Sequence, residues 1–172
     1  MRRALVLVLA FATMHFAPAV AWAQDKVDFS GNWILDGSRS DAPTGRDAGA
    51  GPVTLVIKQT ATQVTIETTR GKLIQTVNYK LDGSVNTNRA ANGDMTLSKS
   101  RWDGGKLITE GRGALGESVV TTREIRSLDA SGKTMTVEVI SSTSQGSGFI
   151  SSCNQPSTTC TGTKQVFTRT SS

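Results

Sequence analysis

Two arginines on predicted β-strands are candidates for binding an anion. Arg101 lies on the same face of its predicted strand as Met95 and Leu97. Arg123, on a later predicted strand, also shares its face with apolar residues. If these faces point inwards, each guanidinium must meet an anion, because an unpaired buried charge costs several kcal/mol. The alternative is a position at a rim, where the charge reaches water along its apolar stem. A one-residue change in register reverses either facing, and Arg126 has the same ambiguity.

Three aromatic residues are candidates for the lining of a cavity. Tyr79 lies on the face of Val77 and Leu81, so we expect it to point with them towards the core. Trp33 and Trp102 either line a ligand cavity or fill one end of a small barrel, as large side chains in packed barrels do. We interpret Trp33 as structural and keep Trp102 with Tyr79 as candidate ligand-binding residues.

Catalytic chemistry has no positive support in the sequence. The only histidine, His15, lies in a segment that we expect to be removed, which excludes a Ser-His or Cys-His couple and a histidine metal site. No EF-hand spacing and no phosphate-binding loop occurs. Five glutamates stand beside threonine or a basic residue in alternating segments, which favours ion pairs on the outer surface over an acid–base pair; they are Glu67, Glu110, Glu117, Glu124 and Glu138. We therefore expect no enzyme activity, no cofactor and no bound metal.

The two cysteines, Cys153 and Cys160, lie within one polar segment. In an oxidising compartment two such residues normally pair, and closing so small a ring is worth roughly 2–3 kcal/mol in the chain-entropy model. A redox-active pair or a metal site fits less well, because the thiols have no histidine partner and no two-residue spacing. We expect a structural disulfide.

The first residues have the pattern of an export signal. Arg2 and Arg3 precede an apolar stretch that ends near Val20, and a small-x-small site follows, which places cleavage after Ala23. The apolar stretch is too short for a stable membrane span, so we expect residues 24–172 to be soluble in the periplasm or outside the cell. The excess of positive charge is small and spread along the chain, so nucleic acid is not an expected partner.

Alternation with a period of two residues dominates the rest of the chain and predicts one all-β domain. Loops are expected at 36–52 and 141–163, and Asp82-Gly83 suits a type I′ turn, in which both positions have positive φ. An outer-membrane barrel is not favoured, because aromatic girdles are missing. About ten strands are predicted, at 29–35, 53–58, 64–67, 73–81, 84–89, 95–102, 106–110, 119–128, 134–140 and 164–170. Such an antiparallel up-and-down meander must close into a barrel or expose an edge.

Short motifs along the chain carry a family resemblance. The opening Phe-Ser-Gly-Asn-Trp, with Gly31 and Trp33, resembles the first strand of lipocalin-like (calycin-type) barrels, in which a Gly-x-Trp closes one end. The order of this opening, Lys-Leu-Asp-Gly at 80–83, Trp-Asp-Gly-Gly-Lys-Leu at 102–107 and Asp-Ala-Ser-Gly-Lys-Thr at 129–134 is similar to that of a group of secreted bacterial proteins without an assigned activity. The resemblance implies a lipocalin-like barrel of 8–10 strands in which Trp33 and Gly31 are structural.

Two functions follow as hypotheses. The first is a binding protein that holds a small apolar or amphipathic molecule in the barrel, with the loop at 36–52 as a lid. Fatty-acid-binding barrels hold a carboxylate with inward arginines and a tyrosine, which the resemblance extends to Arg101, Arg123 and Tyr79, with Trp102 beside them. The second is a module that contacts an envelope protein, or inhibits a hydrolase, through the loop that Cys153 and Cys160 would close.

Overall fold

Ten β-strands make up the regular structure of the described residues. The computed structural model describes residues 27–42, 51–89, 93–115, 118–144 and 159–171, and these ranges contain no helix. It follows that no helix in the described part has the length and apolar character to cross a bilayer. The strands are β1 Gly31–Leu35, β2 Val53–Gln59, β3 Gln63–Arg70, β4 Leu73–Lys80, β5 Asn86–Arg89, β6 Met95–Asp103, β7 Lys106–Leu115, β8 Ser118–Leu128, β9 Thr134–Ser144 and β10 Thr159–Thr170. The prediction of an all-β chain with about ten strands is confirmed.

The strands form one nearly closed, up-and-down antiparallel barrel. Hydrogen-bonded neighbours follow the order β4-β3-β2-β1-β10-β9-β8-β7-β6-β5, so β1 pairs on one side with β2 and on the other with the last strand. The ladder is interrupted between β4 and β5. There the side chain of Asn88 accepts a hydrogen bond from the backbone N–H of Asn78 and donates one to its carbonyl, both at 2.8 Å, and Asn86 donates to the same carbonyl. These amides take the place of a strand ladder across the gap.

The inner face of the barrel is apolar on one side and polar on the other. Alternate residues of β2 and β3 are branched aliphatics that turn inwards, as the pleat of a strand requires. On the opposite side β6 and β7 turn Ser98, Ser100 and Thr109 inwards, and the hydroxyls of the last two are 2.9 Å apart. The buried apolar core consists of Phe29, Trp33, Val53, Leu55, Ile57, Val64, Ile66, Leu81, Leu107, Met135, Val137 and Phe167.

One end of the barrel is filled around Trp33, which is 1% exposed. Its indole N–H donates to the carbonyl of Phe29 at 3.0 Å, and the guanidinium carbon of Arg169 lies 4.3 Å from the centre of its ring. Arg169 also donates through Nε to the carbonyl of Gly132 at 2.9 Å and through Nη1 to that of Ser30. The arginine therefore joins β1, β10 and the turn between β8 and β9 at this end.

Gly31 permits this arrangement. Its φ of 133° lies in the region that side chains disfavour, and a Cβ atom there would lie 2.8 Å from Nη1 of Arg169. The sequence singled out Gly31 and Trp33 by resemblance, and the structure gives both positions a packing reason.

Three local expectations differ from the structure. No described residue other than glycine has positive φ, so the type I′ prediction for Asp82-Gly83 is wrong at Asp82; its carboxylate instead accepts from the N–H of Ser84 at 2.9 Å. The predicted loop at 141–163 is too long, because β9 continues to Ser144 and β10 begins at Thr159. Strands predicted at 64–67 and 106–110 extend further, since polar residues continue their backbone ladders.

Several expectations lie outside the described residues. The export segment, Cys153 and residues 43–50 of the expected lid are among them. The start of that loop is described and lies along β10, where the N–H groups of Asp36 and Asp41 donate to the carbonyls of Val166 and Lys164, both at 2.8 Å.

We predict that Gly31→Ala lowers the free energy of unfolding by about 1–3 kcal/mol, because the new methyl group meets Arg169 and the backbone conformation becomes strained. Urea unfolding followed by tryptophan fluorescence measures the change. Gly162→Ala is the matched control, because Gly162 is exposed in β10 with nothing within 4 Å of a new Cβ atom. Equal stability of both variants and the parent would contradict the packing role of Gly31.

Candidate functional site

A cavity inside the barrel is the candidate functional site. This inner cavity has a volume of about 390 Å³, and its walls come from β2, β3, β4, β8, β9 and β10. Most of its lining is apolar or threonine, and four charged or phenolic side chains enter it. The charged and phenolic residues are Arg70, Tyr79, Glu124 and Arg126.

Two neighbouring cavities share walls with the inner cavity. One, of about 290 Å³, lies towards β5, β6 and β7 and shares Gln75, Val77, Tyr79 and Glu124 with it. The other, of about 490 Å³, lies beside Ala42 and Gly51, where the described parts of the 36–52 loop enter and leave, and shares Arg70 and further residues. We call this last one the mouth cavity. Glu124 and Tyr79 lie between the inner cavity and the cavity towards β5, and Arg70 lies between the inner cavity and the mouth cavity.

The chemical centre of the inner cavity is an ion pair on β8. Nη2 of Arg126 lies 2.5 Å from Oε2 of Glu124, two residues earlier on the same strand. The side chain of Arg126 is 9% exposed and that of Glu124 is 24% exposed. Because both face inwards, the exposure of Glu124 is towards the cavities that it lines. Nε and Nη1 of Arg126 have no hydrogen-bond partner within the described ranges.

Tyr79 completes this cluster from the opposite wall. The guanidinium carbon of Arg126 lies 5.6 Å from the centre of its ring, a distance at which a cation and an aromatic face attract each other. The cluster therefore joins β4, next to the gap in the barrel wall, with β8 on the far side.

The three groups shift one another's proton equilibria. Burial disfavours the charged form of Arg126, but the carboxylate of Glu124 and the neighbouring Tyr79 outweigh it, and the pKa of Arg126 lies above its usual value. Burial and the negative charge of Glu124 both raise the pKa of Tyr79, and Arg126 offsets only part of that effect. The phenol therefore remains neutral and the guanidinium remains charged at physiological pH.

The structure separates the residues that the sequence grouped together. Tyr79 and Trp102 are on the inner face, with Tyr79 in the cavity and Trp102 stacked on Phe29 at 6.0 Å between ring centres. Arg101 is exposed on the outer face, so the expectation that it points inwards is wrong. Arg123 also faces outwards, where it pairs in register with Glu110. Neither arginine approaches Tyr79, and the inward arginine is Arg126.

Glu124 is the functional candidate that the sequence analysis assigned to the wrong face. It was expected on the outer surface, because it stands beside basic residues. The register of β7 with β8 places Glu124 opposite Thr109 and Arg126 opposite Leu107, both on the inner face. Part of the signal was available in the two-residue turn after Asp103, which sets Trp102 opposite Leu107 and so places both on one face. The facing of β8 also depends on its own register with β7, which this turn does not fix.

Metal and thiol chemistry receive no support within the described ranges. No group of three or more His, Cys, Asp or Glu side chains there is close enough to hold a metal ion. Cys160 lies at the start of β10 opposite Ser142, and its expected partner Cys153 is outside the described residues, so the disulfide stays a prediction.

Comparison with known proteins shows the fold. No protein-family model and no curated protein matches the sequence. Among solved structures, the REP1-NXSQ fatty acid transporter is 14% identical with a TM-score of 0.54, and the match covers 83% of this chain and 96% of that one. Human cRBP IV is 19% identical with a TM-score of 0.55, covering 84% and 99%. Lipid binding protein 8 of Caenorhabditis elegans is 14% identical with a TM-score of 0.54, covering 83% and 95%. The chain therefore has a lipocalin-like barrel fold.

We predict that Tyr79 does not ionise near its usual pKa of 10.0 in the folded protein. It is the only tyrosine, so tyrosinate absorbance during an alkaline titration reports on this site alone. Because the folded pKa lies above the unfolded one, the folded state binds more protons above about pH 10, and stability falls as pH rises further.

The urea-unfolded chain is the control and should titrate near the usual value. A folded chain, with unchanged circular dichroism, whose tyrosinate signal rises at the same pH as that of the unfolded chain would show that Tyr79 is not enclosed beside Glu124.

Proposed function

We propose that this protein binds a small apolar or amphipathic molecule in the inner cavity and does not convert it chemically. The observation that carries the proposal is an inner cavity of about 390 Å³ in which aliphatic and aromatic residues of β2, β3, β9 and β10 lie beside one polar cluster. Cavities of this size and character are typical of sites for small ligands. A barrel with a filled core would leave no such volume.

The comparisons give this proposal further support. Two of the similar structures carry lipid-related names, a fatty acid transporter and a lipid binding protein. Each match covers more than four fifths of this chain. A shared fold does not show that two proteins bind the same ligand, so the proposal rests mainly on the cavity.

We propose that a ligand enters through the mouth cavity. It shares Val53, Arg70, Thr163 and Gln165 with the inner cavity, and it lies at the opposite end of β10 from the plugged end around Trp33. A ligand that enters there passes Arg70 before it reaches the apolar walls.

Filling the inner cavity should abolish binding. We predict that Val139→Trp weakens retention of an apolar fluorescent dye by at least about tenfold, because the indole occupies the volume that the ligand needs. Fluorescence titration of the purified chain measures the dissociation constant, and the tryptophan emission of the parent protein should shift on binding.

The matched control is Ile140→Trp, the next residue of β9, which is exposed on the outer face. Circular dichroism checks that both variants are folded. Loss of dye binding in both, or in neither, would place the bound dye outside the barrel.

The export of the chain is a second part of the proposal. The signal-like start and the resemblance to secreted bacterial proteins support cleavage after Ala23 and release into the periplasm or beyond, where Cys153 and Cys160 would pair. An envelope partner for the loop between these cysteines remains a hypothesis, because that loop lies outside the described residues.

We predict that the chain expressed with its first residues in a Gram-negative bacterium is recovered from the periplasm with Gln24 as its first residue. Alkylation under denaturing, non-reducing conditions should add nothing to Cys153 and Cys160, whereas alkylation after reduction should label both. Intact mass spectrometry measures both properties. An uncleaved cytoplasmic product, or thiols that react before reduction, would overturn this part.

A further inference from the structure

We infer that the ligand of the inner cavity has an uncharged, hydrogen-bond-donating head group, such as a hydroxyl or a primary amide, and that Glu124 selects it. This inference rests on the proposed function and names the class of ligand. It differs from the carboxylate expected by resemblance to fatty-acid-binding barrels.

The positive charge of Arg126 in the inner cavity is already matched by a carboxylate. Nη2 of Arg126 lies 2.5 Å from Oε2 of Glu124. A ligand carboxylate beside this pair would place two negative charges against one positive charge inside the barrel, where water screens charges less than it does on the surface. Burial is the main cause of the raised pKa of Tyr79, and the negative charge of Glu124 raises this pKa further.

A head group in the inner cavity meets Glu124 more readily than Arg126. Glu124 is 24% exposed and borders both the inner cavity and the one towards β5, whereas Arg126 is only 9% exposed. An ionised carboxylate only accepts hydrogen bonds, so its ligand must donate one. A fatty acid in its ionised form has no hydrogen to donate.

The donors of Arg126 are shielded from a ligand in the inner cavity. Nε and Nη1 of Arg126 are buried, with almost no surface open to the cavity, so a ligand carboxylate does not reach them in this arrangement. A neutral head group that donates a hydrogen bond to Glu124 leaves the ion pair intact, and Tyr79 stands beside it as a neutral phenol.

The competing arrangement places a carboxylate at the mouth. Arg70 lines both the inner cavity and the mouth cavity, so an acid could direct its head group there and its tail inwards. In that arrangement Glu124 would contact only the tail, and its charge would have little effect on the choice between an acid and an alcohol.

The experiment compares three probes with the same tail at neutral pH, using the purified full chain. Lauric acid, lauryl alcohol and lauramide each compete with an apolar fluorescent dye for the barrel. We expect the alcohol and the amide to displace the dye at concentrations about tenfold or more below that of the acid, because a site built around a hydrogen bond rejects a ligand that cannot make it. Equal or tighter binding of the acid overturns the inference while the proposed function stands.

Glu124→Gln tests whether Glu124 causes the preference for neutral probes. Glu67→Gln, on the outer face of β3, is the matched control. Glu124→Gln removes the negative charge and leaves Arg126 for the acid, so the preference for neutral probes should disappear or reverse. Glu67→Gln should keep it. An unchanged preference in folded Glu124→Gln contradicts the role of Glu124.

The comparison in the parent protein decides the head-group class even if Glu124→Gln does not fold without its salt-bridge partner. Failure of the parent chain to retain the dye or any of the three probes overturns the proposed function itself, and the inference with it. That outcome is distinct from retention with the opposite preference.

Discussion

The pairing of β1 with both β2 and β10 is the constraint on which the rest of the structure depends. Without it the ten strands would form an open meander with two long edges, whereas with it every inward residue from β2 to β9 faces a common interior. Arg169 fixes this closure, because it stacks on Trp33 and hydrogen-bonds to backbone carbonyls of two neighbouring segments. The filled end around Trp33 and the cavity inside the barrel therefore both depend on the pairing of β1 with β2 and β10.

Inside the barrel, the inner face has an apolar side and a polar side, and this arrangement determines the chemistry of the cavity. The aliphatic residues of β2 and β3 provide an apolar wall, and β6 to β8 provide hydroxyls and the ion pair. A buried pair of opposite charges contributes little stability compared with apolar packing, so its presence in a small barrel calls for another role. The Arg126–Glu124 pair can take such a role by orienting a ligand in the inner cavity through a polar contact.

The sequence determined the architecture but not the facing of the polar strands. Strands such as β2, with aliphatic residues at every second position, have only one possible inner face, and these were predicted correctly. In β8 both faces mix polar and apolar residues, so Arg123 and Arg126 were equally plausible inward candidates. In β6 the inner face is built largely of serine and threonine, and the apolar Met95 is 53% exposed, which reverses the usual rule. Arg101 and Trp102 are adjacent and cannot both face inwards, and the buried tryptophan decides between them.

The barrel wall is easier to deform at the gap between β4 and β5 than at the other strand pairs of the described part. Every other pair of adjacent strands in the described part is held by a backbone ladder, which gives way only with the loss of many bonds at once. Here the side-chain amides of Asn86 and Asn88 hold the wall to Asn78. We therefore expect any widening of the barrel to occur first at this gap and to displace Tyr79, which is next to Asn78. Such a widening would change the distance between the aromatic ring of Tyr79 and the guanidinium of Arg126.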